Sequence, residues 1–234
     1  MADGYGGQKV WKGFSAVGKR KNGLFNKLLE FKPNEKLSSP FFPLSNESFY
    51  LSDVYRKELS EMSGIESVLA IAGGGNQVLS QIADLQVSNK IKEVYIVDQD
   101  EAQLKNFYSH LSALENALVC GRDYYLHNGV KMEVQSIKPN TTFRLNLSEI
   151  CKFLNGFQKN GKSGKYYVYL SNIDDWLDPL NWQNVLGTIS KSDVFADGTK
   201  IIFNCFNRPF PSMLEKRNNE LKNYIPMNFG SGYR

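Results

Sequence analysis

The sequence predicts an α/β domain whose sheet is mostly parallel and carries helices on both faces. Three observations predict this fold class. Apolar, strand-like runs at residues 67–72, 93–98, 166–170 and 200–206 alternate with segments of helical periodicity. A run of three glycines follows the first strand directly, and a carboxylate ends the second. Strands that are separated by helices favour parallel pairing through right-handed crossovers.

The first strand passes into a helix through Gly73, Gly74 and Gly75. Glycine lacks a Cβ, so the chain can turn sharply and its backbone N–H groups can approach a ligand closely. The following helix, expected to begin near Gln77, would point its N-terminal amides at a bound polar group. Position 78 is Val, whereas a G-x-G-x-x-G fingerprint needs a third glycine there, so a dinucleotide pyrophosphate site is disfavoured.

The second strand ends in Asp98, 23 residues after Gly75. This is close to the spacing at which an acidic side chain accepts hydrogen bonds from the ribose of a nucleoside. Strand, glycine elbow and carboxylate together predict a Rossmann-like half-fold that binds a nucleoside. The alternative interpretation is a tight structural turn that binds nothing.

The remaining elements follow from periodicity and from helix-end signals. Residues 131–137 alternate polar and apolar types, as an edge strand of the sheet does, and the Gly- and Lys-rich residues 156–165 predict a loop. The predicted helices cover residues 47–62, 77–85, 101–118, 148–154 and a segment that starts at Asp178, an N-cap followed by Pro179. This alternation of strands and helices supports one α/β domain.

Basic charge is concentrated at the start of the chain. Residues 1–36 carry a net charge of +5, which leaves −1 for the rest of a chain whose total is +4. Such a leader can contact an anionic membrane surface, or it can be a solvated extension. Residues 22–31 place apolar side chains on one helical face, which favours a helix that packs on the domain. Nucleic-acid binding is disfavoured, because the aromatic residues do not interleave with the basic cluster in a recognised motif.

Cysteine usage and hydropathy exclude several classes of protein. Cys120, Cys151 and Cys205 are odd in number and far apart, and the chain has only two histidines, so neither a metal site nor a disulfide framework is expected. No apolar run approaches the roughly 20 residues that span a bilayer, so no transmembrane segment is expected. The N-terminus has no signal-peptide core. A cytoplasmic setting is the resulting expectation.

The most informative polar segment follows the strand at residues 166–170. In an open parallel sheet, ligands bind outside the carboxyl ends of the strands, at the switch point in strand order. Residues 171–176 place a hydroxyl, an amide, two carboxylates and an indole there: Ser171, Asn172, Asp174, Asp175 and Trp176. These groups suit a cationic sulfonium and a zwitterionic amino acid. The alternative is that the carboxylates cap loops and the indole packs in the core.

Three segments, residues 68–76, 97–104 and 170–177, resemble successive motifs of the S-adenosylmethionine (SAM):diacylglycerol 3-amino-3-carboxypropyltransferase family, which makes betaine lipids. The resemblance spans about residues 47–208, and its last motif is the most specific. It implies a fold similar to that of class I SAM methyltransferases, with SAM as co-substrate. It also implies that a nucleophile attacks the methionine-derived γ-carbon of SAM, so that methylthioadenosine leaves.

The resemblance carries roles over to matching positions of this chain. Gly73, Gly75 and Asn76 would border the methionine part of SAM, and Asp98 would hold the ribose. Gln103 matches a glutamine of the family to which no role is assigned. The full set expected to bind the co-substrate, neighbouring positions included, is Ala72, Gly73, Gly74, Gly75, Asn76, Asp98, Gln99, Ser171 and Asn172.

A hydroxyl nucleophile needs a proton acceptor within hydrogen-bond reach. Asp174 and Asp175 are the best local candidates, and Tyr50 is held in reserve. We therefore expect a basic N-terminal extension at residues 1–46 and a SAM-binding transferase domain at residues 47–234, acting on a small-molecule or lipid acceptor. Two alternatives stay open: a SAM-dependent methyltransferase acting on a small molecule, a protein or RNA, and a non-catalytic Rossmann-like module that binds a partner.

Overall fold

The structure is a computed structural model, and it describes residues 29–30, 52–71, 75–98, 101–125, 131–132, 141–144, 149–171, 173–203 and 211–224. The helices in these ranges are α1 (Asp53–Glu61), α2 (Gly75–Gln86), α3 (Glu101–Val119), α4 (Ile150–Asn160) and α5 (Pro179–Lys191), with a 3₁₀-helix at Ile173–Asp175. The strands are β1 (Leu29–Glu30), β2 (Ser67–Ile71), β3 (Glu93–Asp98), β4 (Tyr124–Tyr125), β5 (Lys131–Met132), β6 (Thr141–Arg144), β7 (Tyr166–Tyr169), β8 (Lys200–Phe203), β9 (Ser212–Arg217) and β10 (Glu220–Asn223).

The main sheet has the strand order β1-β6-β3-β2-β7-β8-β9-β10. Strands β6, β3, β2, β7 and β8 are mutually parallel, whereas β1 on one side and β9 and β10 on the other run antiparallel to their neighbours. The chain moves outward from β2 through β3 to β6, then returns to the other side of β2 with β7 and β8. The predicted α/β fold with a mostly parallel sheet is confirmed, and the strand order reverses between β2 and β7.

Strand β2 is buried on both faces of the sheet. Val68 and Ala70 pack with α1, α2 and α3, whereas Leu69 and Ile71 pack with α4 and α5. A strand that is covered on both sides needs an uninterrupted apolar sequence, which is why this run was recognisable from the sequence. Helices therefore lie on both faces, as predicted.

Helix α1 runs alongside α2 in the same direction and is joined to it by polar contacts. Arg56 forms a bidentate ion pair with Asp84 at 3.1 and 3.2 Å, and the Asn89 side chain donates to the Met62 carbonyl at 2.7 Å. Deeper in the core, the Tyr55 and Tyr167 hydroxyls lie 2.6 Å apart. Both donate to the side-chain oxygen of Gln81, Tyr55 at 3.2 Å. These contacts connect α1, α2 and β7.

The C-terminal strands form a hairpin on the β8 side of the sheet. Asn218 and Asn219 make its two-residue turn, with φ of 53° and 62°. Such a turn requires positive φ at both positions, which asparagine tolerates. Beyond the hairpin, the Tyr224 hydroxyl donates to a carboxylate oxygen of Glu58 at 2.7 Å, and the Lys200 ammonium lies 3.6 Å from the centre of the Tyr224 ring. The hairpin is thereby attached to α1.

Two predicted helices have different bounds. Helix α2 begins at Gly75, two residues before the predicted start. Helix α4 continues to Asn160, where the sequence predicted a loop from residue 156 onward. The reason is Phe157, which is fully buried with its ring 5.0 Å from Tyr95 and 5.9 Å from Phe195. Aromatic packing of this kind holds the extra turns in place.

The sheet position predicted for one strand and the conformation predicted for one helical segment are wrong. Of the strand predicted at residues 131–137, Lys131–Met132 lies within the described residues and is a strand, but it pairs with β4 outside the main sheet, where the sequence predicted an edge strand of that sheet. Strand β6 lies beside β3 in the main sheet. It is too short for its sequence to show the alternation of polar and apolar residues that marks a strand. The helix prediction for residues 22–31 is also wrong for Leu29–Glu30, which is a strand that pairs with β6. Of the helix predicted at residues 47–62, the described part is α1.

Replacing Tyr167 by Phe should destabilise the fold by about 1–2 kcal/mol, because Gln81 loses one of its two buried hydroxyl donors. Urea unfolding followed by circular dichroism measures the change. Tyr95→Phe is the matched control, since the bond from its hydroxyl to Glu93 is longer, 3.4 Å, and should be worth less. An equal or larger loss in the control would contradict this ranking.

Candidate functional site

The reversal of strand order places the candidate site at the carboxyl ends of β2 and β7. Neighbouring strands whose connections leave in opposite directions open a crevice there. Residue 70 of β2 pairs with residue 169 of β7, so the two strands end at the same level. The next residue, Leu170, is still held to the sheet, because its N–H donates to the Ile202 carbonyl at 2.8 Å.

Asp98 is the last residue of β3, and only 7% of its surface is exposed. It lies at the carboxyl edge, next to β2, in register with Arg144 of β6. A carboxylate this deeply buried requires hydrogen-bond donors. The structure thus places the predicted acidic side chain, which has an interaction partner within the protein, at the carboxyl edge of the sheet next to β2.

Helix α2 presents its N-terminus at the same edge. It begins at Gly75, β2 having ended at Ile71, and its first turn contains no acidic residue. The first N–H groups of a helix have no partner within the helix and carry a partial positive charge. Of the predicted glycine elbow, the backbone of Gly75 and Asn76 lies within the described residues, in the first turn of the helix. This turn can receive a polar or anionic ligand group.

Ser171 follows β7 with a left-handed backbone conformation, φ 50°. The Ile173 N–H donates to the Leu170 carbonyl at 3.2 Å, which closes a β-turn with Ser171 in its second position. Only 5% of Ser171 is exposed. Left-handed backbone costs roughly 1–2 kcal/mol for a residue with a Cβ. Nothing in the residue types of this segment predicts that conformation, because serine is not a typical left-handed residue.

The 3₁₀-helix after this turn distributes its side chains between core and surface. Ile173 is buried, Asp174 is half-buried and Asp175 is exposed. Trp176 is 73% exposed and Leu180 is 67% exposed, so the alternative that the indole packs in the core is wrong. The predicted N-cap is confirmed: the Asp178 carboxylate accepts from the Asn181 N–H at 3.0 Å, and Pro179 is the first residue of α5.

The structure brings only part of the predicted set together. Asp98, Ser171, Asp174 and Asp175 have described side chains, and all four lie at the carboxyl edge of the sheet or in the turns that leave it. The remaining predicted residues lie outside the described ranges: Tyr50, Ala72, Gly73, Gly74, Gln99 and Asn172. Within the described residues, no group of three or more His, Cys, Asp or Glu side chains could hold a metal ion. No described helix is long and apolar enough to cross a membrane.

A scan of protein-family models and a search of curated proteins found no match to this chain. Among solved structures, the chain is similar to a "putative methyltransferase" from Thermobifida fusca YX, with a TM-score of 0.43 and 18% sequence identity. The match covers 69% of this chain and 53% of that one, so this chain spans about half of the length of that structure. The strand order above defines the fold by itself.

Replacing Asp178 by Ala should destabilise the protein at neutral pH and do so less in acid. The backbone hydrogen bond from Asn181 lowers the pKa of Asp178 below its ordinary value of 3.8. The carboxylate therefore stabilises the folded state above that value, and this contribution is lost as the pH falls through the folded-state pKa. Urea midpoints at pH 7 and at about pH 3 test this.

Asp178→Ser is the matched control, because a serine hydroxyl also caps a helix but does not titrate in this range. Its urea midpoint should differ from that of Asp178→Ala by the same amount at both pH values. A wild-type advantage over Asp178→Ala that persists undiminished in acid would show that the pKa is not lowered.

Proposed function

We propose that this protein is a SAM-dependent transferase that moves the 3-amino-3-carboxypropyl group of SAM to a nucleophilic acceptor and releases methylthioadenosine. One observation supports it above all. The buried carboxylate of Asp98 ends the strand beside β2, and α2, the next element after β2, begins at Gly75. In this proposal, the acceptor for the ribose hydroxyls and the first amides of α2 lie on either side of one crevice.

The two sides of the crevice have different roles in this proposal. Asp98 accepts hydrogen bonds from the ribose hydroxyls of SAM. The backbone amides of Gly75 and Asn76 approach the co-substrate, since the first turn of α2 carries no acidic side chain to repel its carboxylate. The segment after β7 faces the reacting carbon, and the resemblance of residues 170–177 to the transferase motif supports this placement.

The transfer is a displacement at carbon. The acceptor forms a bond to the γ-carbon of the methionine chain, the carbon–sulfur bond breaks, and its electron pair stays on the sulfur of methylthioadenosine. A hydroxyl acceptor must also lose a proton, for which Asp174 and Asp175 are the proposed bases. Holding acceptor and carbon in line can lower such a barrier by roughly 7–11 kcal/mol, so positioning supplies much of the rate.

Charge in this part of the chain is compatible with a cationic co-substrate. Residues 166–190 contain three carboxylates and no lysine or arginine. Negative potential at the mouth of a site favours a sulfonium ion and raises its local concentration. For the acceptor we propose only a chemical class, which is a small molecule or a lipid that carries a nucleophile.

Binding of SAM is the first test of the proposal. Calorimetric titration should show saturable binding to the wild type and a roughly ten- to hundredfold weaker affinity for Asp98→Ala, because a hydrogen bond to a charged acceptor is lost. Asp193→Ala is the matched control, since Asp193 is an exposed carboxylate away from the carboxyl edge. Equal affinity in wild type and Asp98→Ala would refute the ribose assignment, and no binding at all would refute the proposed function.

The chemical step is tested by replacing Asp175 with Asn. We expect SAM affinity to stay within about twofold of wild type, whereas the rate of product release falls by roughly 10²- to 10⁴-fold, the usual contribution of a general base. Chromatography of the nucleoside product identifies the reaction at the same time. Methylthioadenosine supports the proposed transfer, whereas S-adenosylhomocysteine would establish methyl transfer in its place. An unchanged rate would exclude Asp175 as the base.

A further inference from the structure

Gln77 lies in the first turn of α2, and only 8% of the residue is exposed. Its backbone carbonyl accepts from the Gln81 side chain at 3.2 Å, but no residue in the described part of the chain forms a hydrogen bond with its side-chain amide. Buried polar groups almost always have a hydrogen-bond partner. Neither amide atom is both unpaired and fully enclosed, so a molecule from outside the chain can reach them. This amide is therefore available to a ligand.

Helix geometry turns the Gln77 side chain toward the carboxyl edge of the sheet. Side chains of an α-helix lean toward its N-terminus, and residues four apart lie on the same face. On that face, Gln81 contacts Tyr55 of α1 and Tyr167 of β7. Gln77 thus lies one turn nearer the carboxyl edge, on the side of α2 that faces α1 and β7. Asp98 ends β3 on the opposite side of β2.

The N-terminus of α1 points toward the same space as that of α2. The ion pair Arg56–Asp84 joins residues 28 apart on two helices that run in the same direction. Asp53, the first residue of α1, is therefore level with residue 81, about one turn below Gln77, and its own side chain is exposed. The first N–H groups of both helices carry partial positive charge. Together with an amide N–H donor, they suit a carboxylate.

The strand order places Gln77 relative to the nucleoside. Adjacent strands lie about 4.8 Å apart, so the ends of β3 and β7 are separated by roughly 10 Å across β2. A co-substrate whose ribose is held by Asp98 at β3 and which crosses the end of β2 brings its amino-acid half to the side of Gln77. The carboxylate of that half then meets the amide and the two helix N-termini.

We propose that the Gln77 amide donates a hydrogen bond to the α-carboxylate of SAM, and that Gln77 thereby selects a co-substrate whose transferable group carries a carboxylate. This inference rests on the proposed function, because it assumes that Asp98 holds the ribose. In the proposed transfer, the carboxylate moves with the 3-amino-3-carboxypropyl group. Gln77 therefore holds the group that is transferred, whereas Asp98 holds the methylthioadenosine that leaves.

The test measures binding of SAM, decarboxylated SAM and methylthioadenosine to wild type, Gln77→Met and Gln77→Glu. Met keeps the length of the side chain without its hydrogen bonds, whereas Glu adds a charge that repels a carboxylate. Gln77→Met should bind SAM roughly ten- to hundredfold more weakly than wild type, the effect of one hydrogen bond to a charged group. Its affinity for the other two ligands should stay within about twofold. Gln77→Glu should prefer decarboxylated SAM to SAM, the reverse of wild type.

Gln86→Glu is the matched control, because it places the same charge on the last residue of α2, about 13 Å along the helix. It should leave the preference for SAM over decarboxylated SAM unchanged. Unchanged binding of methylthioadenosine shows that the variants are folded and that the ribose contact is intact. The inference is overturned if Gln77→Met binds SAM as wild type does, or if its affinities for SAM and methylthioadenosine fall equally. Wild type that binds none of the three ligands refutes the proposed function and this inference with it.

Discussion

The burial of β2 on both faces is the constraint on which the rest of the structure depends. Its side chains alternate between two separate cores, one built with α1, α2 and α3 and the other with α4 and α5. A strand in this position needs parallel neighbours on both sides, and β3 and β7 supply them. Because the chain reaches these neighbours in opposite directions, their ends diverge at one edge of the sheet. The crevice is thus a consequence of the same packing that holds the core together.

Because the crevice results from the packing of the core, the candidate site lies on a rigid part of the fold. Asp98 and Ser171 belong to the ends of buried strands or to the turn that follows directly, so their positions are set by the sheet. Asp175 and Trp176, one turn further along the chain, are exposed. Under the proposed function, the groups assigned to the co-substrate are therefore held by the sheet, while those assigned to the acceptor lie in a turn toward solvent.

The sequence predicted the elements that need particular residue types along their whole length or at a defined position. The strands β2, β3 and β7 are apolar throughout because both faces are covered, and the cap at Asp178 uses residue types that a helix start requires. The strand β6 was not predicted, because four residues are too few to show the alternation of polar and apolar residues that marks a strand. The extension of α4 depends on where Phe157 packs, which no local pattern encodes. The same holds for the site: Asp98 and Ser171 follow from motif order, but the φ of Ser171 does not.

The bond between Glu58 and Tyr224 joins parts of the chain that are 166 residues apart. Burial and the neighbouring Glu58 carboxylate both raise the pKa of Tyr224, so its hydroxyl stays protonated and remains a donor. During synthesis, α1 leaves the ribosome long before the residue that completes its buried side. Until Tyr224 has been made, the Glu58 carboxylate of the nascent chain lacks this donor. Non-local closure of this kind slows folding and prolongs the exposure of apolar surface. Completion of the contacts of α1 therefore waits for the synthesis of Tyr224.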